Sequence, residues 1–347
     1  MSTTKHHDGH ARWRLGPVRL RVHRRSAWVG LALLLLMLAA TVVALVIPGA
    51  GLSAGDALQV LLGRGGAFHE TVVFSWRAPR VVAAIAVGAA LALSGGLFQS
   101  LTRNPLGSPD VIGFNSGAFT GVLLAMLAGA TSFAATATGA FVGGMVTALA
   151  IYLLSLRRGQ AGLRMVVVGL GVSAMLAAVN RYLLSAADLD TSLQAATWGA
   201  GSLNGLRWGQ VAPAAALLLV LLVLGGLLAR RTQALDLGHD AAAGLGLSVP
   251  ATRLLLLAVG VGLTAITTAV AGPIAFVALA APHIARAVTG GARLSPLPVC
   301  LTGALVVLVS DILGQRLFDP TQLPVGLVTV TLGGVYLITL LAKEARR

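Results

Sequence analysis

Only two lysines, Lys5 and Lys343, occur in 347 residues, and neither follows a glycine. A Gly-x-x-x-x-Gly-Lys-Ser/Thr phosphate loop is therefore absent, and any nucleotide that drives this chain must be bound by another. The residues also form no serine, histidine and carboxylate group and no His-x-x-x-His metal pair, so no catalytic, cofactor-binding or metal site is expected. Two other constellations carry chemistry. The first is 234–247, which reads Ala-Leu-Asp-Leu-Gly-His-Asp-Ala-Ala-Ala-Gly-Leu-Gly-Leu, a short amphipathic helix, a glycine hinge and another turn. Its apolar residues are too few to cross a bilayer, but they can cover one face of a helix that inserts into a groove of a soluble partner. The second is Asn180 with Arg181: an arginine there attracts anionic solutes and an asparagine offers hydrogen bonds, which makes the pair a candidate pathway lining. Arg181 could equally snorkel to an interface.

The elements that must position these groups are membrane helices. The chain is 56% apolar and only 10% charged, against roughly 25% charged in soluble domains. Its formal charge of +14 sits at the ends of apolar runs, with no compact basic domain and no interleaved aromatics to bind nucleic acid. About 20 apolar residues cross a bilayer core. One span is read at 27–47, stopped by Pro48, and a second in the 22-residue uncharged run 81–102. The 46 uncharged residues 111–156 would make about 69 Å of helix, enough for two crossings, broken near 129–132. Further spans fall at about 163–185 and 211–229. The run 254–285 is interrupted by Gly272-Pro273 and gives two spans, the second short. Spans at about 297–314 and 323–342 complete ten, an all-α polytopic membrane protein in which 1–26 is a basic tail expected to be disordered and 27–347 is one membrane domain.

Even parity puts both termini on one side. With the N-terminus inside, 19 of the 25 basic residues are inside, and Arg64, Arg77, Arg80, Arg181, Arg207 and Arg316 are outside; this is the bias of the positive-inside rule. The first span is longer than a signal-peptide core and its removal would spoil the parity, so it is read as retained. The largest internal polar loop on the inner side is then 230–253, the place to meet a nucleotide-binding chain.

Among single residues, His6, His7 and His10 suggest a metal tract but lie in an arginine-rich tail that suits water or lipid headgroups. His283 is read as structural or gating rather than as a haem or metal ligand. Cys300 is read as packing. Asp311 is the only acidic residue expected within a span, and an ion-driven secondary transporter usually carries more ionisable groups at depth. Small residues at Gly88, Ala92 and Gly96, and at Gly139 and Gly143, allow helices to approach closely.

The borders of the second span are specific. Trp76-Arg77-Ala78-Pro79-Arg80 before it and Thr102-Arg103-Asn104-Pro105-Leu106 after it resemble the second helix of the permeases that import iron chelates and vitamin B12. Further matches follow in family order: 106–118 (Leu-Gly-Ser-Pro-Asp-Val-Ile-Gly-Phe-Asn-Ser-Gly-Ala), 271–277 (Ala-Gly-Pro-Ile-Ala-Phe-Val), 281–286 (Ala-Pro-His-Ile-Ala-Arg) and 323–329 (Leu-Pro-Val-Gly-Leu-Val-Thr). Ala78 and Gly107 replace more usual family residues, and the basic tail is extra.

The resemblance implies the type II importer permease fold and a transport subunit that supplies alternating access and no bond chemistry. It implies a second permease subunit, two ATPase subunits carrying ATP and Mg, a substrate-binding protein outside, and a place in the bacterial cytoplasmic membrane with both termini cytoplasmic. It assigns Leu235, Leu237, Gly238, Ala242, Leu245, Gly246 and Leu247 to coupling with the ATPase, and Arg77, Arg80 and Arg316 to docking of the binding protein through its carboxylates. The expected cargo is a ferric siderophore. Haem and cobalamin are the alternatives within the family; a secondary carrier and an integral membrane enzyme are the alternatives outside it.

Overall fold

The computed structural model describes residues 10–15, 18–49, 51–110, 112–155, 161–291 and 294–344. His6, His7 and the basic residues Lys5, Arg157, Arg158, Arg293, Arg346 and Arg347 lie outside them. The first membrane helix, α1 (Arg24–Val46), ends ahead of Pro48, which has no amide hydrogen to continue it. A short α2 (Ala54–Leu61) follows, started by a reciprocal cap in which Ser53 and Asp56 bond each other's backbone amides at 3.2 and 3.3 Å.

The next helix, α3, runs unbroken for 36 residues, Ala67–Thr102. Sequence reading starts this span at residue 81 with Arg77 and Arg80 before it; the structure puts both arginines inside the helix. Pro79 would ordinarily stop it. The turns Thr71–Arg77 are π-helical, and the Ala78 amide reaches back to the Val73 carbonyl. The carbonyl that Pro79 cannot serve, that of Phe74, is taken instead by the indole Nε1 of Trp208 at 2.7 Å.

Then come α4 (Phe114–Leu127) and α5 (Phe133–Ser155), separated at Gly129 as the spacing predicts, and α6 (Ala161–Ala186). An unforeseen surface helix, α7 (Leu189–Gly199), is capped by Asp188. The remaining helices are α8 (Trp208–Asp236), α9 (His239–Gly244), α10 (Val249–Ala271), α11 (Val277–Thr289), α12 (Pro296–Arg316) and α13 (Val325–Glu344). Among the described residues seven helices are long and apolar enough to cross a membrane, and Phe114–Leu127, Val277–Thr289 and Val325–Thr339 are shorter apolar helices that bring the set to ten. The polar connector is shorter than 230–253, because α8 continues to Asp236 and α10 begins at Val249.

In the described part of the tail, β1 (His10–Leu15) and β2 (Val18–His23) pair antiparallel. They are the only strands among the described residues.

The core is built around α3. Its apolar window is 83% buried, against 11% for α1, so α3 is the element the others surround. It packs on α12, α8, α10 and α11. A Cβ at Gly88 would collide with the Gly303 carbonyl of α12, so this crossing requires glycine on both sides. Ser94 meets α10, donating to the Gly260 carbonyl at 2.7 Å, which satisfies a hydroxyl at depth without leaving an unpaired polar atom. A second close pair, Gly139 and Gly143 of α5 against Gly121 and Gly117 of α4, follows the same small-residue logic.

Candidate functional site

Hydrogen bonds define two ends of the bundle. At one, Arg80 of α3 meets Asp311 of α12. Its Nε and Nη2 donate to the carboxylate at 2.9–3.1 Å, and Gln315 adds a bond to the same carboxylate at 2.9 Å. The remaining Nη1 donates to Gln322 at 2.9 Å and Asn204 at 3.4 Å. With side-chain exposures of 13% and 2%, this is a buried bidentate pair with its spare donors and acceptors satisfied, the condition under which such a pair repays its desolvation. Arg77 donates to the carbonyls of Leu45 and Gly49, both at 2.8 Å. Arg316 donates to the Pro48 carbonyl at 2.7 Å and pairs with Asp319 at 3.7 Å. Arg77 and Arg316 thus close the open carbonyls where α1 ends. The structure brings the three arginines together, and each is engaged within the chain. The Arg80–Asp311 pair itself escapes the sequence reading, although a lone carboxylate in a span signals that a cation must be near.

At the other end, α8, α9 and α10 form a short projecting knob. Leu235 and Ala242 are buried at its root, while Leu237 and Leu245 are 68% and 65% exposed. Gly238 has φ 113° and Gly246 φ 79°, conformations that a side chain makes costly, so these two glycines set the corners on either side of α9. The Leu247 amide folds back to the Ala242 carbonyl at 3.1 Å, and Ala242 to Gly238 at 3.0 Å. Arg103, itself left-handed at φ 50°, ends α3 and donates to the Leu235 carbonyl at 2.8 Å. The expected coupling residues are therefore brought together: Leu235 and Ala242 inward, Leu237 and Leu245 outward, and Leu247 half-buried between. Nearby, Arg286 donates to Gln99, and His283 Nε2 lies 2.9 Å from the Pro105 carbonyl, a structural contact.

The candidate pathway pair separates. Asn180 is buried against α4, accepting from Thr120 Oγ1 at 2.7 Å and donating to the Ser116 carbonyl at 3.1 Å. Arg181, the next residue round the helix, is exposed. Sequence reading also passes over Asp110, in the connector before α4. Asn115 donates to it at 3.0 Å, its Oδ2 is buried without a hydrogen bond, and burial pushes its carboxyl up to about 7, which lessens the charge left in apolar surroundings. A cavity of about 300 Å³ between α11, α12 and α13 is lined by Phe276, Ile284, Val306, Leu332 and Tyr336; it is too apolar to grip a polar chelate. Among the described residues no three His, Cys, Asp or Glu side chains gather to hold a metal ion.

A model described as the FecCD transport family matches residues 34–343. The chain belongs to this family. Within it, the chain is 50% identical over 296 residues to the ferric enterobactin transport system permease protein FepG of Escherichia coli K12, covering 85% of this chain and 90% of that one. It is 35% identical over 330 residues to the protein of Bacillus subtilis 168 named "Probable siderophore transport system permease protein YfhA", covering 92% and 96%. A solved structure titled "An inward-facing conformation of a putative metal-chelate type ABC transporter" superposes with a TM-score of 0.82 at 27% identity, covering 91% of this chain and 99% of that one. The FecCD assignment and the ten apolar helices agree: this is a multi-pass membrane protein with the metal-chelate importer permease fold.

Proposed function

We propose that this chain is the membrane permease subunit of an ATP-driven importer for a ferric siderophore, with 27–347 as its permease domain. The observation that carries the reading is the knob: Leu237 and Leu245 are held out on rigid glycine corners while nothing in the described chain covers them. Exposed leucines flanking a short fixed helix suit insertion into an apolar groove of a soluble partner, and the chain has no phosphate loop of its own. ATP and Mg would therefore sit on two ATPase subunits, with a second permease subunit completing the pathway. The likeness to the enterobactin and siderophore permeases supports the cargo class.

The charge bias supports a place in the bacterial cytoplasmic membrane with both termini and the knob inside. An extracytoplasmic binding protein would dock on the opposite end, with Arg316, 36% exposed, the most open of the three arginines; Arg77 and Arg80 would hold the shape of that surface. Arg181 would lie towards the pathway between the two permeases. Alternating access would follow from the ATPase stroke. The test is uptake of labelled ferric siderophore, haem and cobalamin into vesicles holding the full complex. ATP-dependent accumulation of the siderophore alone is expected; accumulation of haem or cobalamin instead reassigns the cargo, and uptake driven by an ion gradient without ATP overturns the class.

A further inference from the structure

The connector between α3 and α4 hides a carboxyl that neither end of the bundle uses. Asn115 Nδ2 donates to Asp110 Oδ1 at 3.0 Å, while Oδ2 is buried without a hydrogen bond. An orphaned carboxylate oxygen away from water is costly, and a proton on the group removes much of that cost. The same carboxyl touches a hinge, because the Phe276 backbone amide lies close enough to favour its ionised form. Phe276 closes the break between α10 and α11 at φ 68°, a left-handed conformation that is an outlier for a bulky residue. Such a residue persists only where its surroundings hold it. Asp110 holds the backbone. On the other side Phe276 rests on bare Gly333 of α13, where a Cβ would collide with its side chain. Phe276 also lines the cavity of about 300 Å³ between α11, α12 and α13, so its ring has room to turn when the hold is released.

Burial sets the sign. Desolvation is the largest influence on Asp110 and pushes its carboxyl up to about 7, while the bonds from Asn115 and Phe276 oppose it and are weaker. The elements around it bring no charge to bear. The connector's α4 neighbour is the neutral Asn115, and α10 reaches the site through Thr268, whose hydroxyl is 3.5 Å from Asn115 Oδ1. From α6, Gly169 and Ser173 meet the adjoining Ile112 and Gly113. Of the charged or titratable groups on the flanking segments, His283 of α11 bonds the Pro105 carbonyl, Arg286 donates to Gln99, and Arg103 donates to the Leu235 carbonyl. A closed turn around the buried carboxyl therefore favours the neutral form, and an open turn that admits water favours the ionised form.

We infer that Asp110 is a proton-dependent lock on the Phe276 hinge, closed while its carboxyl is neutral and released as the proton passes to water. Opening lets Phe276 leave Gly333 and frees α13 from the turn. The use of this lock in transport rests on the importer reading, whereas the lock itself is a property of the permease chain alone.

The test follows amide hydrogen exchange of residues 272–280 by mass spectrometry, with the full chain in nanodiscs and neither cargo nor ATP present. Protection, corrected for the intrinsic exchange rate at each pH, is expected to fall about tenfold per pH unit from pH 5 to 7 and to level off above that. Amides at the crossing of Gly88 on Gly303 should keep their protection throughout. D110N carries no titrating proton and should hold the protected state at every pH. N115A removes a donor that favours the ionised form and should move the bend in the wild-type profile to higher pH, a readout that stands where D110N does not fold. A flat wild-type profile overturns the inference, and so does a D110N profile that still falls with pH. Because the experiment contains no cargo, failure of the importer reading leaves these outcomes unchanged.

Discussion

The two ends of the bundle treat their conspicuous residues in opposite ways. At the clamp end, Arg77, Arg80 and Arg316 each donate to acceptors of the same chain. At the knob end, Leu237 and Leu245 stand in the open. Charge in a connector shows where cations are, but burial and bonding show whether they are available. The arginines of the clamp end are internally satisfied and the leucines of the knob end are not, so at the knob the conspicuous residues themselves are left to meet a partner.

The largest expected effect tests the clamp. Asp311→Ala leaves the Arg80 guanidinium buried beside a hole, a change that costs about 3–5 kcal/mol. Thermal unfolding of the purified permease in detergent should show it, and Arg80→Leu combined with Asp311→Leu should recover most of the loss. If Asp311→Ala unfolds like the wild type, the clamp is not a stabilising element and the contrast collapses.

The knob should respond in the other currency. Leu245→Asp places a charge where a partner groove would close, and a loss of about 1–3 kcal/mol in affinity for the ATPase subunits is expected. Because Leu245 is exposed, the melting temperature of the isolated permease should stay put. Retained ATPase subunits and wild-type transport would remove the coupling assignment; a lowered melting temperature would show the knob to be part of the core.

The smallest effect separates the arginines from each other. Arg316→Gln removes a surface ion pair, about 0–1 kcal/mol, and should leave folding nearly unchanged while reducing stimulation of ATP hydrolysis by the binding protein. The same charge removal at Arg80 should lower both together. Normal stimulation in Arg316→Gln would place docking elsewhere on that end.

Much of this was legible in residue order. Span number, the breaks at Gly129 and Gly272, and the short α11 follow from run length and helix rise, because the bilayer fixes how much apolar chain one crossing takes. The knob was legible because glycines at 238 and 246 flank a short amphipathic piece. The start of α3 was misplaced because Pro79 and two arginines read as a border, whereas a π turn and the Trp208 indole absorb the proline. Asn180 shows the other limit. Its residue type allows pathway lining or packing, and only the positions of Thr120 and Ser116, about sixty residues away in sequence, show which bonds its amide makes. Likewise Arg80 and Asp311 are separated by 231 positions, a distance at which no local pattern speaks.

The unbroken α3 ties these ends together in one piece. At 36 residues it is about 54 Å long, with Arg80 about 20 Å in from one tip and Arg103 just past the other, gripping the root of the knob through Leu235. A close-packed helix hardly shortens or buckles. It would therefore act as a pushrod: a thrust on the leucines would reach the Asp311 latch with little loss, past the crossing of Gly88 on Gly303, where no side chain stands between the two backbones.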